Sequence, residues 1–186
     1  MAIAEKNTAY RALDVANFLV YLMSDSYDDL SNMKLNKILY YAQGHYLQKY
    51  GKPLFSDRIL AFQQGPLIKS VYEKYKPYYD RPISDYDISE TDVIEPDDKN
   101  FLLDIARRYG RYTAATLRNM THRPKSPWSM VDEHEEIPID SIRLYFVNNL
   151  TEISELEMYF SEEDFIGRRD DKGILVLPED WQDAAV

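Results

Sequence analysis

Apolar positions recur at helical spacing through most of the first 150 residues, which predicts a mainly α protein. Between Ala9 and Ser24 the residues Leu13, Ala16, Val20 and Met23 share one helix face, widened by Val15, Leu19 and Leu22. Ser24-Asp25-Ser26 breaks that helix. A second helix follows, with Ser31 as its N-cap and Leu30 placed to staple against Leu35. Leu35, Ile38, Leu39, Ala42 and Tyr46 form its buried stripe, and Gly51 and Pro53 stop it.

Ile59 to Gln63 is a short apolar run, read as a strand or an extended connector. Gly65-Pro66 is expected to open a third helix with Pro66 in its first position. Leu67, Val71, Tyr72 and Tyr75 give that helix a face, and Pro77 ends it. Residues 76–96 hold three prolines and many acids and read as one long irregular connection. A helix from Pro96 to Tyr109 buries Phe101, Leu102, Ile105 and Ala106, with Gly110 after it. Thr113 to Met120 is a short helix carrying Ala114 and Leu117. Ser126-Pro127-Trp128 reads as cap, first position and anchor of a further turn. Asp140 is placed to cap a last helix bearing Ile142, Leu144, Tyr145 and Phe146.

Beyond Leu150 the pattern first continues helically through Ile153 and Leu156 and then changes. Asp170-Asp171-Lys172-Gly173 is a turn signal before a short strand, Ile174-Leu175-Val176-Leu177, with Phe165 and Ile166 as pairing candidates across the turn. The expected architecture is a compact single-domain helical bundle with a few short strands, residues 1–150, followed by an acidic C-terminal extension, residues 151–186.

Charge sharpens that division. The 186 residues carry 22 Lys and Arg against 32 acids, a formal net charge of −10. The extension holds eleven acids against Arg168, Arg169 and Lys172, so 3 − 11 = −8 lies there and −2 in the body. Such a body lacks the clustered bases that general nucleic-acid binding requires, and Arg107, Arg108 and Arg111 are a thin cluster. No run approaches the roughly 18 apolar residues of a membrane span, and Met1 to Ala9 lacks the apolar core of a signal peptide. A cytoplasmic protein is expected. The absence of cysteine excludes a disulfide scaffold, a thiolate metal site and a cysteine nucleophile.

Candidate chemistry is sparse. There is no phosphate-cradling glycine loop and no nucleophile elbow. Asp132, Glu133, His134, Glu135 and Glu136 have the donors of a metal site but read as a solvated acidic loop. His45, in the middle of the second helix, reads as a structural histidine bonded to backbone or tyrosine. His122, at a helix end, reads as a donor to free carbonyls. No cofactor, metal or catalytic residue is expected.

The aromatic content is more informative: 16 Tyr, 7 Phe and 2 Trp. Tyrosine brings large contact area with few torsions to freeze, which suits interfaces. Tyr72, Tyr75, Tyr78 and Tyr79 lie with Lys74, Lys76 and Arg81 at the end of a helix and into a loop. Periodicity buries Tyr72 and Tyr75; Tyr78 and Tyr79, beyond Pro77, have no periodic reason to be buried. The segment reads as a partner-contacting patch, with loop packing as the alternative.

A longer pattern carries a resemblance. Met33-Lys-Leu-Asn-Lys-Ile-Leu-Tyr-Tyr-Ala-Gln-Gly-His-Tyr-Leu runs into Gly51-Lys-Pro-Leu-Phe. Ala61-Phe-Gln-Gln-Gly-Pro-Leu, Val71-Tyr-Glu-Lys-Tyr-Lys, Leu117-Arg-Asn-Met-Thr-His, Pro127-Trp128 and Ile142-Arg-Leu-Tyr-Phe follow in order. Over roughly residues 10–150 the chain resembles the Panacea domain, also called the SocA-like antitoxin or phage-associated GepA family. One departure is Phe62-Gln63-Gln64, where the family usually shows an aromatic, often Trp, and a Tyr before Gly-Pro. That departure is expected to alter local packing and leave the fold intact.

The resemblance implies a non-enzymatic antitoxin of a bacterial or prophage type II toxin–antitoxin module. Its partner would be a protein toxin encoded by the adjacent gene, with RelA/SpoT-like small alarmone-synthetase toxins among the family's partners. Neutralisation by direct binding that blocks the toxin active site is the favoured mechanism. Delivery of the toxin to the ClpXP protease is an alternative, and an acidic nucleic-acid mimic acting on a host enzyme is another. The matched motif residues Leu35, Tyr40, Ala42, Gly44, Gly65, Pro66, Thr121, His122 and Trp128 are expected to make the fold. Toxin contact is expected at Tyr72, Tyr75, Lys76, Tyr78, Tyr79 and Arg81, and at Glu162, Glu163 and Asp164 of the extension, whose acids suit a basic toxin cleft.

Overall fold

A computed structural model describes residues 9–24, 30–79 and 81–150, with the backbone of 168–169 and 175–176. The chain divides into two units, residues 1–155 and 156–186. In the first, six α-helices are found among the described residues: α1 (Ala12–Met23), α2 (Asn32–Tyr50), α3 (Lys69–Tyr75), α4 (Pro96–Tyr109), α5 (Ala114–Thr121) and α6 (Ile139–Asn149). A hairpin of β1 (Leu60–Phe62) and β2 (Gly65–Leu67) stands between α2 and α3. In the second unit β3 (Arg168–Arg169) pairs antiparallel with β4 (Leu175–Val176). The strand partner is therefore Arg168–Arg169; Phe165 and Ile166 lie outside the described residues, as do Ile153 and Leu156.

Helix α2 is the axis of the first unit and contacts each of the other five α-helices. Ser31 caps it by accepting from Lys34 N, and Gly51 ends it in the left-handed region at φ 68°. All five expected stripe residues are buried, but so are Asn32, Lys34, Asn36, Lys37, Gln43 and His45. A helix wrapped on every side has no solvated face, so its polar residues must find partners inside. They bind the backbone of the surrounding loops. Lys34 Nζ donates to Gly110 O at 2.6 Å, after α4. Asn36 Oδ1 accepts from Ile68 N at 2.8 Å, just before α3. Gln43 Oε1 accepts from Leu54 N and Phe55 N while its amide donates to Phe55 O. The polar residues of α2 thus fix where the loops leave and return.

The periodic helices match the sequence pattern, and α4 has the expected limits with Phe101, Leu102, Ile105 and Ala106 buried. Four expectations are corrected. Gly65-Pro66 does not open a helix. Gly65, at φ 95°, closes the hairpin, Pro66 pairs with Ala61, and α3 begins only at Lys69. Pro at a short two-stranded edge loses little, since it needs no donor there. Asp140 is not the cap of α6. The chain leaves the edge of β1, where Ile137 N donates to Ile59 O, and Pro138 starts the helix two residues earlier. Asp140 sits instead in the first turn, where a carboxylate meets the positive helix end. Of the α6 face, Ile142 and Phe146 are buried but Leu144 is 63% exposed. Residues 76–96 are not irregular throughout: Ile88–Val93 form a 3-10 helix packed on α1. Asn17 holds its start by exchanging two 2.8 Å bonds with the Asp87 backbone.

Candidate functional site

The family-like motifs from three distant segments meet at the tip of the β1–β2 hairpin. His122, at the end of α5, places Nε2 3.1 Å from Gln63 O and Nδ1 2.7 Å from Arg118 O. A neutral imidazole donates to one of these carbonyls and a protonated ring to both. Burial pulls the His122 pKa down from its ordinary value. Trp128 Nε1 donates to Phe62 O at 2.9 Å, and its ring lies 3.6 Å from the His122 ring centre. Ser126 fixes the turn below them, donating to Thr121 O at 2.7 Å. His122 and Trp128 therefore clamp the hairpin by its backbone carbonyls. A clamp on carbonyls leaves the side chains at 62 and 63 free to vary, the physical reason Phe62-Gln63-Gln64 fits here.

Gly65 makes the clamp possible from below. A Cβ built there would stand 2.8 Å from both Lys37 Cε and Thr121 Oγ1. Lys37 lies under the hairpin, fully buried, and its Nζ donates to Pro66 O at 2.9 Å. Burial, reinforced by the nearby Arg118 charge, holds the Lys37 amine down to about 7.

Two cavities flank the hairpin tip. One, of about 450 Å³, has α2 residues Asn32, Met33, Asn36 and Lys37 as its floor. Phe62, Gln63, Gln64, Gly65 and Leu67 form one wall, and Tyr72, Lys76 and Tyr79 the other. The second, of about 490 Å³, lies on the far side, between Phe62, Arg118, His122, Trp128 and the Asp132-Glu133 rim.

The tyrosine-rich segment divides at this groove. Tyr75 is buried, so its side chain is not presented to a partner; burial raises its pKa to about 12. Tyr72, expected to be buried, is exposed on the groove wall with Lys76 Nζ 5.8 Å from its ring centre. Tyr78 is half-buried. Arg81 bends back, its guanidinium donating to Pro77 O and Tyr78 O. Tyr79 is 78% exposed and has φ 54°, ψ −115°. Arg81 N donates to Tyr78 O at 2.9 Å, which makes Tyr79 the second residue of a tight turn. That backbone conformation belongs to glycine, and a tyrosine there stores strain while its ring faces water. Glu162, Glu163 and Asp164 lie outside the described residues.

The remaining histidines are engaged otherwise. His45 Nε2 lies 2.6 Å from Tyr109 Oη and Nδ1 2.9 Å from Gln48 Oε1, and burial lowers its pKa to about 4. The Asp132 to Glu136 loop is exposed, and no group of three or more metal-ligating side chains occurs among the described residues. No described helix is long and apolar enough to cross a membrane. Aromatic composition points to the tyrosines and gives no sign of Lys37 or Arg118. The available signal was a second lysine three residues after Lys34, between the stripe residues Leu35 and Ile38.

The family described as "Antitoxin SocA-like, Panacea domain" matches residues 35–129, which span α2 to Trp128 and so include the clamp. A relative, "Antitoxin SocA" of Caulobacter vibrioides (strain NA1000 / CB15N), is 30% identical over 127 residues, covering 63% of this chain and 68% of the relative. No solved structure matches the chain significantly.

Proposed function

The chain belongs to the SocA-like, Panacea-domain antitoxin family, and from that premise we propose that it neutralises one protein toxin, the product of the adjacent reading frame, by direct binding. The groove beside the hairpin is the contact face of the body, with Tyr72, Lys76 and Tyr79 as its projecting residues. The acidic extension supplies a second contact that suits a basic toxin cleft, as in a RelA/SpoT-like small alarmone synthetase. No catalytic step is ascribed to the chain.

The observation that carries this reading is Tyr79. A mostly exposed tyrosine in a glycine conformation contributes nothing to the core and costs stability. A binding role gives that arrangement a use, because exposed rigid aromatics make interface anchors. The test is growth after induction of the adjacent frame. Rescue by the wild-type chain, lost in the double variant Tyr72→Ala/Tyr79→Ala at equal soluble level, supports the reading. Undiminished rescue by the double variant removes the groove as the contact face. A harmless neighbour removes the module reading altogether.

A further inference from the structure

We propose that the groove takes an acidic segment of the toxin, one carboxylate of which becomes the counter-ion of the buried Lys37, while the half-buried Arg118 reinforces the positive field from the far side of the hairpin. The inference rests on the direct-binding reading and adds the chemistry of the docked segment.

Lys37, buried, and Arg118, half-buried, both keep N–H groups short of acceptors. Lys37 is 2% exposed and meets a single acceptor, Pro66 O, although an ammonium has three N–H groups. Arg118 Nε is buried with no hydrogen-bond partner, and its Nη1 reaches only the neighbouring Asn119 Oδ1, at 3.4 Å. The two charges act on one another and on His122. Neither Lys37 nor Arg118 makes an ion pair among the described residues. Buried charges are as a rule paired, because an unpaired one forfeits its hydration for nothing. Among the described residues no acid pairs with either of them. Glu133, which lines both cavities, is exposed and sits 3.8 Å from His134.

A partner carboxylate has a way in. Lys37 lines the cavity on one side of the hairpin tip and Arg118 the cavity on the other. Each is large enough for one or two inserted side chains. The surroundings favour a carboxylate over a phosphate. A phosphate seeks several N–H donors at once, and the floor amides have little left to give: Asn36 Nδ2 donates twice to Asn32, and Asn32 Nδ2 donates to Tyr72 O and keeps one further N–H. Two lysines, Lys37 on the floor and Lys76 on the wall, with the aromatic Phe62 and Tyr72 lining the same cavity, fit an acid carried on an otherwise apolar segment.

The test is the affinity of the full chain for the purified product of the adjacent reading frame. Lys37→Met keeps the length of the stem and removes the charge. It should weaken binding by roughly thirtyfold or more, as loss of one member of a buried pair does, while thermal unfolding stays at or above the wild-type midpoint. Arg118→Gln, at a half-buried site, should also weaken binding and carries the test if Lys37→Met fails to fold. Wild-type affinity in both variants overturns the inference and leaves direct binding standing. Displacement of the toxin by inorganic pyrophosphate, lost in Lys37→Met, reassigns the site to phosphate and overturns it too. A wild-type chain that does not bind the product overturns the underlying reading.

Discussion

The Phe146 ring of α6 lies flat against Gly44 of α2, so closely that a Cβ on Gly44 would stand 2.2 Å from Phe146 Cζ. The absent side chain is the socket for the ring, around which Tyr40, Tyr41 and His45 stack edge-on or tilted. Gly44→Ala should destabilise the chain by about 1–3 kcal/mol, the usual cost of overpacking a core. Denaturant unfolding measures it. Gly44→Ala combined with Phe146→Leu should recover part of the loss, because the two sites share one volume.

Lys37 predicts a pH dependence with a definite sign. Its folded value of about 7 lies below the ordinary 10.5, so the unfolded chain binds more protons between them. Stability should therefore rise with pH above 7, with a limiting slope of about 1.4 kcal/mol per pH unit from this group. Comparing denaturant unfolding at successive pH values from 7 to 9.5 tests it. Lys37→Met should lose that slope.

His45 acts in a lower window with the same sign. Burial lowers it from 6.5 to about 4, so the fold favours the neutral ring. Stability contributed by this group is complete above 6.5 and falls as the pH drops towards 4, by on the order of 3 kcal/mol. Acid unfolding of the wild type and of His45→Gln separates this group from the carboxylates. Tyr109→Phe, which strips the ring of its 2.6 Å partner, should cost about 1–3 kcal/mol at neutral pH.

Tyr79 should show function opposed to stability. Tyr79→Gly fits the turn without strain, so unfolding should be unchanged or shifted upward, by about 1 kcal/mol. Toxin affinity should fall in the same variant. Calorimetric unfolding and a binding titration on one sample check both halves.

Much of this architecture was legible in the chain because helices announce themselves by period. The α4 limits follow from Pro96, the apolar stripe to Ala106 and Gly110, all local signals. The surroundings of α2 were not local. Lys34, Asn36, Lys37 and Gln43 look like a solvated face until five other helices and three loops close over them. Gly65-Pro66 misled for the same reason. As a dipeptide it suits a helix start, and only the partner strand and the ring of Trp128 make it a hairpin. The patch 72–81 was found by composition, but its division into buried Tyr75 and exposed Tyr72 and Tyr79 depends on which side of α3 meets α2.

Amide hydrogen exchange of the full chain, alone and with the product of the adjacent reading frame, tests docking at the hairpin groove most directly. Docking there predicts slowed exchange in residues 60–79 and 117–133, on both sides of the tip. Slowed exchange confined to other surfaces of the body, with these two segments unchanged, would contradict it.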